Sequence, residues 1–165
     1  MLRTEVARAV DEWLEQLSPE LETLARDLGS DVRVLRSVSH DQAWPSYRLL
    51  RDTWGFGEAL DPPLSVSLEW IRGRTTMRGD LTPYVGLRAW KGNALGAKLR
   101  ANEELKKVRV ARKDPSGTYW AAFRFVPPGP EFPESPEAAE AYREKLVAAV
   151  RDAWDAYGPF VERVI

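Results

Sequence analysis

Apolar and polar residues alternate most clearly over residues 64–70. The apolar positions there are Leu64, Val66, Leu68 and Trp70, and two serines and one glutamate separate them. This two-residue period is typical of a strand that buries one face and exposes the other. Shorter patterns of the same kind predict further strands at residues 31–39, 46–51, 83–90, 108–110 and 118–126.

Residues 4–28 follow a helical period instead. Valines, leucines and a tryptophan recur there at steps of three and four residues, which predicts an amphipathic helix. Ser18 and Pro19 interrupt the run. Because serine is favoured as an N-cap and proline in the first helical turn, we expect two short helices or one kinked helix. Gly29 is expected to end the segment.

Two further helices are predicted. Asn93 is a suitable N-cap for a helix that runs to about Leu105. A long final helix opens at Ser135, which a proline follows, and it carries an apolar stripe. Gly158-Pro159 is expected to stop or kink this helix, because proline cannot donate a backbone hydrogen bond.

The predicted order of elements is α-β-β-β-β-α-β-β-α. Short connections between successive strands favour antiparallel pairing, so we expect an α+β fold in which helices pack on an antiparallel sheet. One domain spanning 1–165 fits the chain length, with an acidic helical segment at 1–30, a basic sheet-rich core at 31–126 and a C-terminal helix at 135–165. The predicted buried core comprises Leu68, Trp70, Leu87, Phe123, Leu146, Val150 and Trp154.

The two faces of the strand at 84–90 differ in composition. Val85, Leu87 and Ala89 form an apolar face that is expected to point to the core. The other face carries Tyr84, Gly86, Arg88 and Trp90. Trp120 and Arg124 are expected to share it, with Tyr119, Phe123 and Phe125 turned inward. Two interpretations remain open: either the terminal helix covers the aromatic face, or the face is a platform on which nucleic-acid bases stack.

Composition excludes several classes of site. The chain has no cysteine and one histidine, His40, so disulfides, thiolate nucleophiles and multi-histidine metal sites are excluded. No apolar run is long enough to span a membrane, and no membrane partner or signal peptide is expected, which favours a cytoplasmic protein. Arginine outnumbers lysine 18 to six, and Asn, Gln and Met occur twice each. This usage favours a prokaryotic, thermophile-like source.

Three patterns suggest catalysis, and none is complete. His40-Asp41 is half of a Ser-His-Asp arrangement, but no nucleophile-elbow pattern accompanies it. Glu104-Leu105-Lys106 resembles the Glu-x-Lys triplet of metal-dependent nucleases, yet it falls at a predicted helix end. Residues 92–98 lack the spacing and the final Ser or Thr of a phosphate loop. We therefore expect a non-enzymatic protein without cofactor, metal or catalytic residue; an unrecognised carboxylate-based site is the enzymatic alternative.

Charge is sorted along the chain, although the total is nearly balanced. Residues 1–30 carry a net charge of −4, residues 31–113 of +7 and residues 114–165 of −4. Eight cations lie between Lys91 and Lys113, and aromatic residues interleave the basic region, as in proteins that bind single-stranded nucleic acid. The predicted nucleic-acid-binding residues are Arg88, Trp90, Lys91, Lys98, Arg100, Lys107, Arg109, Arg112 and Lys113.

From about Leu81, the predicted order is strand, helix, two strands and a long helix with Tyr157-Gly158-Pro159-Phe160 near its end. This order and helix end are similar to a small accessory domain of some PD-(D/E)xK-type restriction nucleases, although the chain has no PD-(D/E)xK site. Our hypothesis is a nucleic-acid-associated module, an accessory part of a prokaryotic restriction, repair or phage-related system. The alternative is a protein-interaction or homo-oligomerisation module that uses residues 4–28 and does not bind nucleic acid.

Overall fold

The computed structural model describes residues 12–37, 44–55, 64–70, 83–90, 92–108, 119–126 and 135–165, apart from the side chains of residues 106 and 108. These residues form helix α1 (Ser18–Leu28), strands β1 (Val32–Ser37), β2 (Ser46–Arg51), β3 (Leu64–Glu69) and β4 (Tyr84–Ala89), helices α2 (Ala94–Ala101) and α3 (Glu103–Val108), strand β5 (Trp120–Phe125) and helix α4 (Pro136–Val164). Residues 12–15 are also helical, and the 3-10 helix Asp52–Trp54 follows β2.

The five strands form one antiparallel sheet in the order β1-β2-β3-β4-β5. Each strand pairs with its neighbour in the sequence. The predicted α+β fold, with helices packed on an antiparallel sheet, is therefore confirmed. Val66 lies opposite both Leu49 and Leu87, so an apolar row crosses the three central strands.

Helices cover this apolar face. α4 packs against β3 and β4, and α1 packs against β1 and α4. One continuous core takes buried residues from every labelled helix and strand. The seven predicted core residues are all buried, which confirms that prediction. Within the described residues, no helix combines the length and apolar character needed to cross a bilayer.

The long helix α4 rules out one of the two outcomes predicted for Gly158-Pro159, the stop, and leaves a kink as the other. Ser135 caps its start, accepting from the N–H of Ala138 at 3.1 Å, as the sequence predicted. The helix does not stop at Gly158-Pro159 but continues to Val164. Pro159 cannot donate to the carbonyl four residues earlier, which costs one helical bond. Phe160 is among the core residues of the last turns, and their burial compensates for that loss.

Helix α1 begins and ends close to the expected residues. The chain turns at residues 16–17, and α1 then runs to Gly29, whose φ of +157° suits glycine. The N-cap position is Leu17 rather than Ser18, and no side-chain bond caps this end. The interruption at Ser18-Pro19 therefore marks a break between two helical segments.

Residues 93–108 form two helices where one helix followed by a strand was expected. α2 ends at Ala101, and the side chain of Asn102 then accepts from the N–H groups of Glu104 and Leu105 at 2.9 and 3.1 Å. This cap starts α3, which includes Val108, so the predicted strand is wrong at that residue. Residues 109 and 110 lie outside the described part of the chain.

Strand β5 places Trp120 on the predicted face, but from Phe123 onward it faces the opposite way from the prediction. Phe123 lies opposite Gly86 and Phe125 opposite Tyr84, whereas Arg124 lies opposite Val85. Because cross-strand partners share a face, the two phenylalanines lie on the Tyr84 face and Arg124 lies on the helix-covered face. There Arg124 pairs with Asp152 of α4 at 3.2 Å.

A β-bulge explains why alternation misled the prediction. The register between β4 and β5 shifts at Leu87/Arg88, so Trp120 lies opposite Arg88. Trp120 and Phe123, three residues apart, consequently lie on the same face, with ring centroids 5.8 Å apart. The expectation that Phe125 and Tyr119 point inward is also wrong, since both are 42% exposed.

The second face of the sheet is polar at its centre and aromatic along β4 and β5. Its buried polar side chains are Ser46, Ser65, Ser67, Glu69 and Arg88. Four rings lie beside them in edge-to-face contacts: Tyr84, Trp120, Phe123 and Phe125. α4 packs on the opposite face, so the interpretation in which the terminal helix covers the aromatic face is wrong.

Candidate nucleic-acid interface

Five of the nine predicted nucleic-acid-binding residues lie in the described part of the chain. They are Arg88, Trp90, Lys98, Arg100 and Lys107, whereas Lys91, Arg109, Arg112 and Lys113 lie outside it, as does His40. The structure gathers Arg88, Trp90 and Arg100 around the end of β4. The contacts of Lys98 and Lys107 lie elsewhere.

Ala89 connects the end of β4 to both β5 and α2. Its N–H donates to the carbonyl of Tyr119 at 2.7 Å, and its own carbonyl accepts from Arg100 Nε at 2.9 Å. Tyr119 and Trp90 therefore lie on either side of one backbone junction, and they are 42% and 46% exposed. We call Arg88, Trp90, Arg100 and Tyr119 the Ala89 corner.

The Tyr119 ring is supported by Arg88. The guanidinium carbon lies 4.8 Å from the ring centroid, within the range of a cation–π contact. Arg88 is itself largely buried on the second face of the sheet, opposite Ser65. The contact fixes one side of the Tyr119 ring and brings a positive charge to it, while much of the ring stays accessible.

The Trp90 ring lies against the turn that follows it. The N–H of Asn93 donates to the Trp90 carbonyl at 3.1 Å, which closes a tight turn. A Cβ added to Gly92 would lie only 2.5 Å from a carbon of the Trp90 ring. Gly92 has no positive φ, so the ring, and not the backbone conformation, requires a glycine at this position.

Helix α2 starts directly on this turn. The Asn93 side chain caps it by accepting from Leu95 N–H at 2.9 Å, which confirms the predicted N-cap. A Cβ on Gly96 would lie 2.1 Å from the Trp90 carbonyl oxygen, so the helix backbone contacts the end of β4 closely. Arg100 lies one turn later on the same side of the helix and reaches Ala89 from there.

Lys98 and Lys107 have separate local contacts. Lys98 Nζ lies 3.5 Å from the carbonyl of Val164, where the C-terminal dipole of α4 attracts a cation. Among the described residues, Lys98 has no carboxylate partner. Lys107 pairs with Glu104 at 2.7 Å, and this hydrogen bond and charge lower the pKa of the Glu104 carboxyl. The charge of Lys98 is thus less compensated than that of Lys107.

Among the described residues, the buried polar face shows no recognisable catalytic arrangement. The Ser65 and Ser67 hydroxyls bond to each other at 2.8 Å, and neither has a general base among the described residues. Tyr84 donates its hydroxyl to the Glu69 carboxylate. Within the described part of the chain, no group of three acidic or histidine side chains is placed to hold a metal ion.

Sequence reasoning missed Tyr119 and Gly92 as parts of this surface. Tyr119 was expected to point inward because strict alternation was assumed through the bulge. Gly92 was considered only as an incomplete phosphate loop. The sequence did offer one sign of this packing: a glycine stands two residues after the tryptophan that ends the strand, and a ring can pack closely on a residue that has no side chain.

Comparison with known proteins gives no relative: no family model, curated protein or solved structure matches this chain. The similarity of element order to a nuclease accessory domain therefore gains no support from a matched structure.

Proposed function

We propose that the protein binds nucleic acid without acting on it chemically, through the Ala89 corner and the basic run from Lys91 to Lys113. The observation that carries this proposal is that two exposed rings, Trp90 and Tyr119, lie near the end of β4, where the guanidinium of Arg88 contacts the Tyr119 ring. Stacking rings beside cations are the combination that single-strand binders use.

The charge of the adjoining segment supports the proposal. Eight cations and two acids lie between Lys91 and Lys113 in the sequence. One of the two acids, Glu104, is engaged by Lys107, whereas Lys98 contacts only a backbone carbonyl among the described residues. Such an excess of cations attracts phosphates.

We take the cellular setting of this proposal from the sequence analysis: the protein is a cytoplasmic, prokaryotic accessory factor in restriction, repair or phage-related biology. The interaction-module alternative has less to support it. The described part of residues 4–28 buries Leu14, Leu17, Leu21 and Leu24 in the chain's own core. That apolar stripe is therefore not available to a partner.

The test is the salt dependence of binding to labelled DNA and RNA. Wild type should lose affinity steeply as salt rises. Replacing Lys98, Arg109 and Arg112 by Gln should weaken binding to all sequences alike and flatten the log–log salt slope by roughly 0.7–0.9 per lost phosphate contact. The matched control replaces Arg33 and Arg124, exposed cations that pair with Asp52 and Asp152, and should leave the slope unchanged.

Absence of salt-sensitive binding by wild type would overturn the proposal. A solution mass well above the 18.7 kDa of one chain, without such binding, would favour the interaction module.

A further inference from the structure

One side of the Trp90 ring packs against Gly92, and the rest of the residue is largely exposed to solvent. Gly92 fills the space behind it so closely that even one added carbon would collide with the ring. Nearly half of the side chain's surface nevertheless faces solvent. Gly92 thus limits the movement of the ring on one side, and a ligand that stacks on the other side costs less rotamer entropy than it would on an unsupported ring.

The shape of the ligand follows from this geometry. A flat ring that is exposed on one side can stack on a flat partner, whereas the faces of a base inside a duplex are already covered by the neighbouring bases. A base in a single strand offers a free π face, and base–ring stacking tolerates any sequence. The basic run from Lys91 to Lys113 supplies the positive charge that follows the phosphate backbone.

We infer that Trp90 is a stacking platform for an unpaired base and that Gly92 positions it, so that the ligand class is single-stranded nucleic acid. This inference rests on the proposed function and makes it more specific. Trp90 contacts the ligand, whereas Gly92 is a positioning residue that acts only through the ring.

The experiment measures anisotropy of labelled single strands of about 12 nucleotides, a length within the site size of common single-strand binders, and of the matched duplex. Oligo-dT and oligo-rU arms distinguish DNA from RNA. Trp90→Ala should weaken single-strand binding about 5- to 150-fold, the effect expected for loss of one stacked base, and should weaken duplex binding much less. The matched control is Trp44→Ala, which removes a tryptophan that is 57% exposed elsewhere on the surface.

Gly92→Ala tests the positioning role. It should reduce single-strand affinity in the wild-type background and have no further effect in the Trp90→Ala background, because both changes act through one ring. Unchanged far-UV circular dichroism and melting temperature show that each variant is folded. Trp90→Phe should recover part of the lost affinity, since a smaller ring can still stack.

The outcomes separate the two proposals. If wild type shows no salt-sensitive binding, both fail. If wild type binds with a steep salt slope but Trp90→Ala lowers single-strand and duplex affinity equally, or neither, the stacking inference fails and the proposed function stands. An additive loss in the Gly92/Trp90 double variant would overturn the positioning role of Gly92.

Discussion

The two ends of the sheet use arginine differently. At the β1–β2 end, Arg51 pairs with Asp31 at 2.6 Å and with Glu162 at 3.0 Å, so its charge is compensated within the chain. At the β4–β5 end, Arg88 lies over the exposed ring of Tyr119. The first arrangement joins distant parts of the sequence, whereas the second supports a ring that the core does not enclose.

This difference changes how the sorted charge of the sequence is understood. Acidic residues near the two ends of the chain neutralise part of the positive charge of residues 31–113. Arg36 pairs with Glu15 of the N-terminal segment, and Arg51 pairs with Glu162 of α4. Charge counted along the sequence therefore overstates the charge that a partner can meet. The proposed function depends on the cations of the run from Lys91 to Lys113, of which Lys98 has no carboxylate partner among the described residues.

The largest expected difference between the two regions is in stability. Leu87 is fully buried on the helix-covered face, and Leu87→Ala should cost about 2–5 kcal/mol because it removes packed atoms and leaves a cavity. Trp90→Ala removes a half-exposed ring from the corner and should cost less than about 1 kcal/mol. Urea unfolding followed by circular dichroism measures both. Equal losses would mean that Trp90 belongs to the core and that the corner is not a free surface.

Most of the architecture could be predicted from periodicity. The alternation in β3 and the helical stripe of α4 identified the apolar residues that line the core, because burial of an apolar face produces both patterns. The alternation did not predict that the serines and the glutamate of β3 are buried as well. The prediction failed where a local contact outweighed the periodic pattern of apolar residues. Asn102 caps a second helix, and the register shift at Leu87/Arg88 reverses β5 from Phe123 onward. Buried residues also continue α4 past Pro159.

The candidate site was less predictable. Strand alternation identified Trp90 and Arg88. It did not reveal that Gly92 packs on the Trp90 ring or that Arg88 contacts the Tyr119 ring, because both contacts depend on tertiary packing. No sequence pattern gives the 4.8 Å approach of Arg88 to Tyr119, because the bulge that sets it arises from the pairing of two strands. Composition located the basic run without showing that Lys98 lies at the end of α4.

A smaller effect should separate two tyrosine hydroxyls. Tyr47 is fully buried, and its hydroxyl lies 3.0 and 2.6 Å from the carbonyl oxygens of Leu14 and Glu15. Tyr47→Phe should cost about 1–2 kcal/mol, because these buried contacts lose their donor. Tyr119→Phe, at the corner, should leave unfolding unchanged, since no partner of its hydroxyl exists among the described residues. A loss of stability in Tyr119→Phe would show that the corner is tied into the fold more tightly than its exposure indicates.

The smallest expected effect concerns acid stability at the β1–β2 end. The hydrogen bond from Arg51 holds the pKa of Asp31 below its ordinary value of 3.8. Because the folded state favours the ionised carboxyl, its contribution to stability is complete above pH 3.8 and is lost as the pH falls through the lowered folded value. Asp31→Asn should therefore destabilise the protein at neutral pH, and its difference from wild type should disappear as the solution is acidified.

The comparison variant is Glu104→Gln near the other end, where Lys107 lowers the pKa of the carboxyl in the same direction. Urea midpoints between pH 7 and pH 2 for both variants show whether carboxylate pairing stabilises both ends or only the end where Arg51 links β2 to α4. A difference for Asp31→Asn that is independent of pH would contradict the ion pair as its cause.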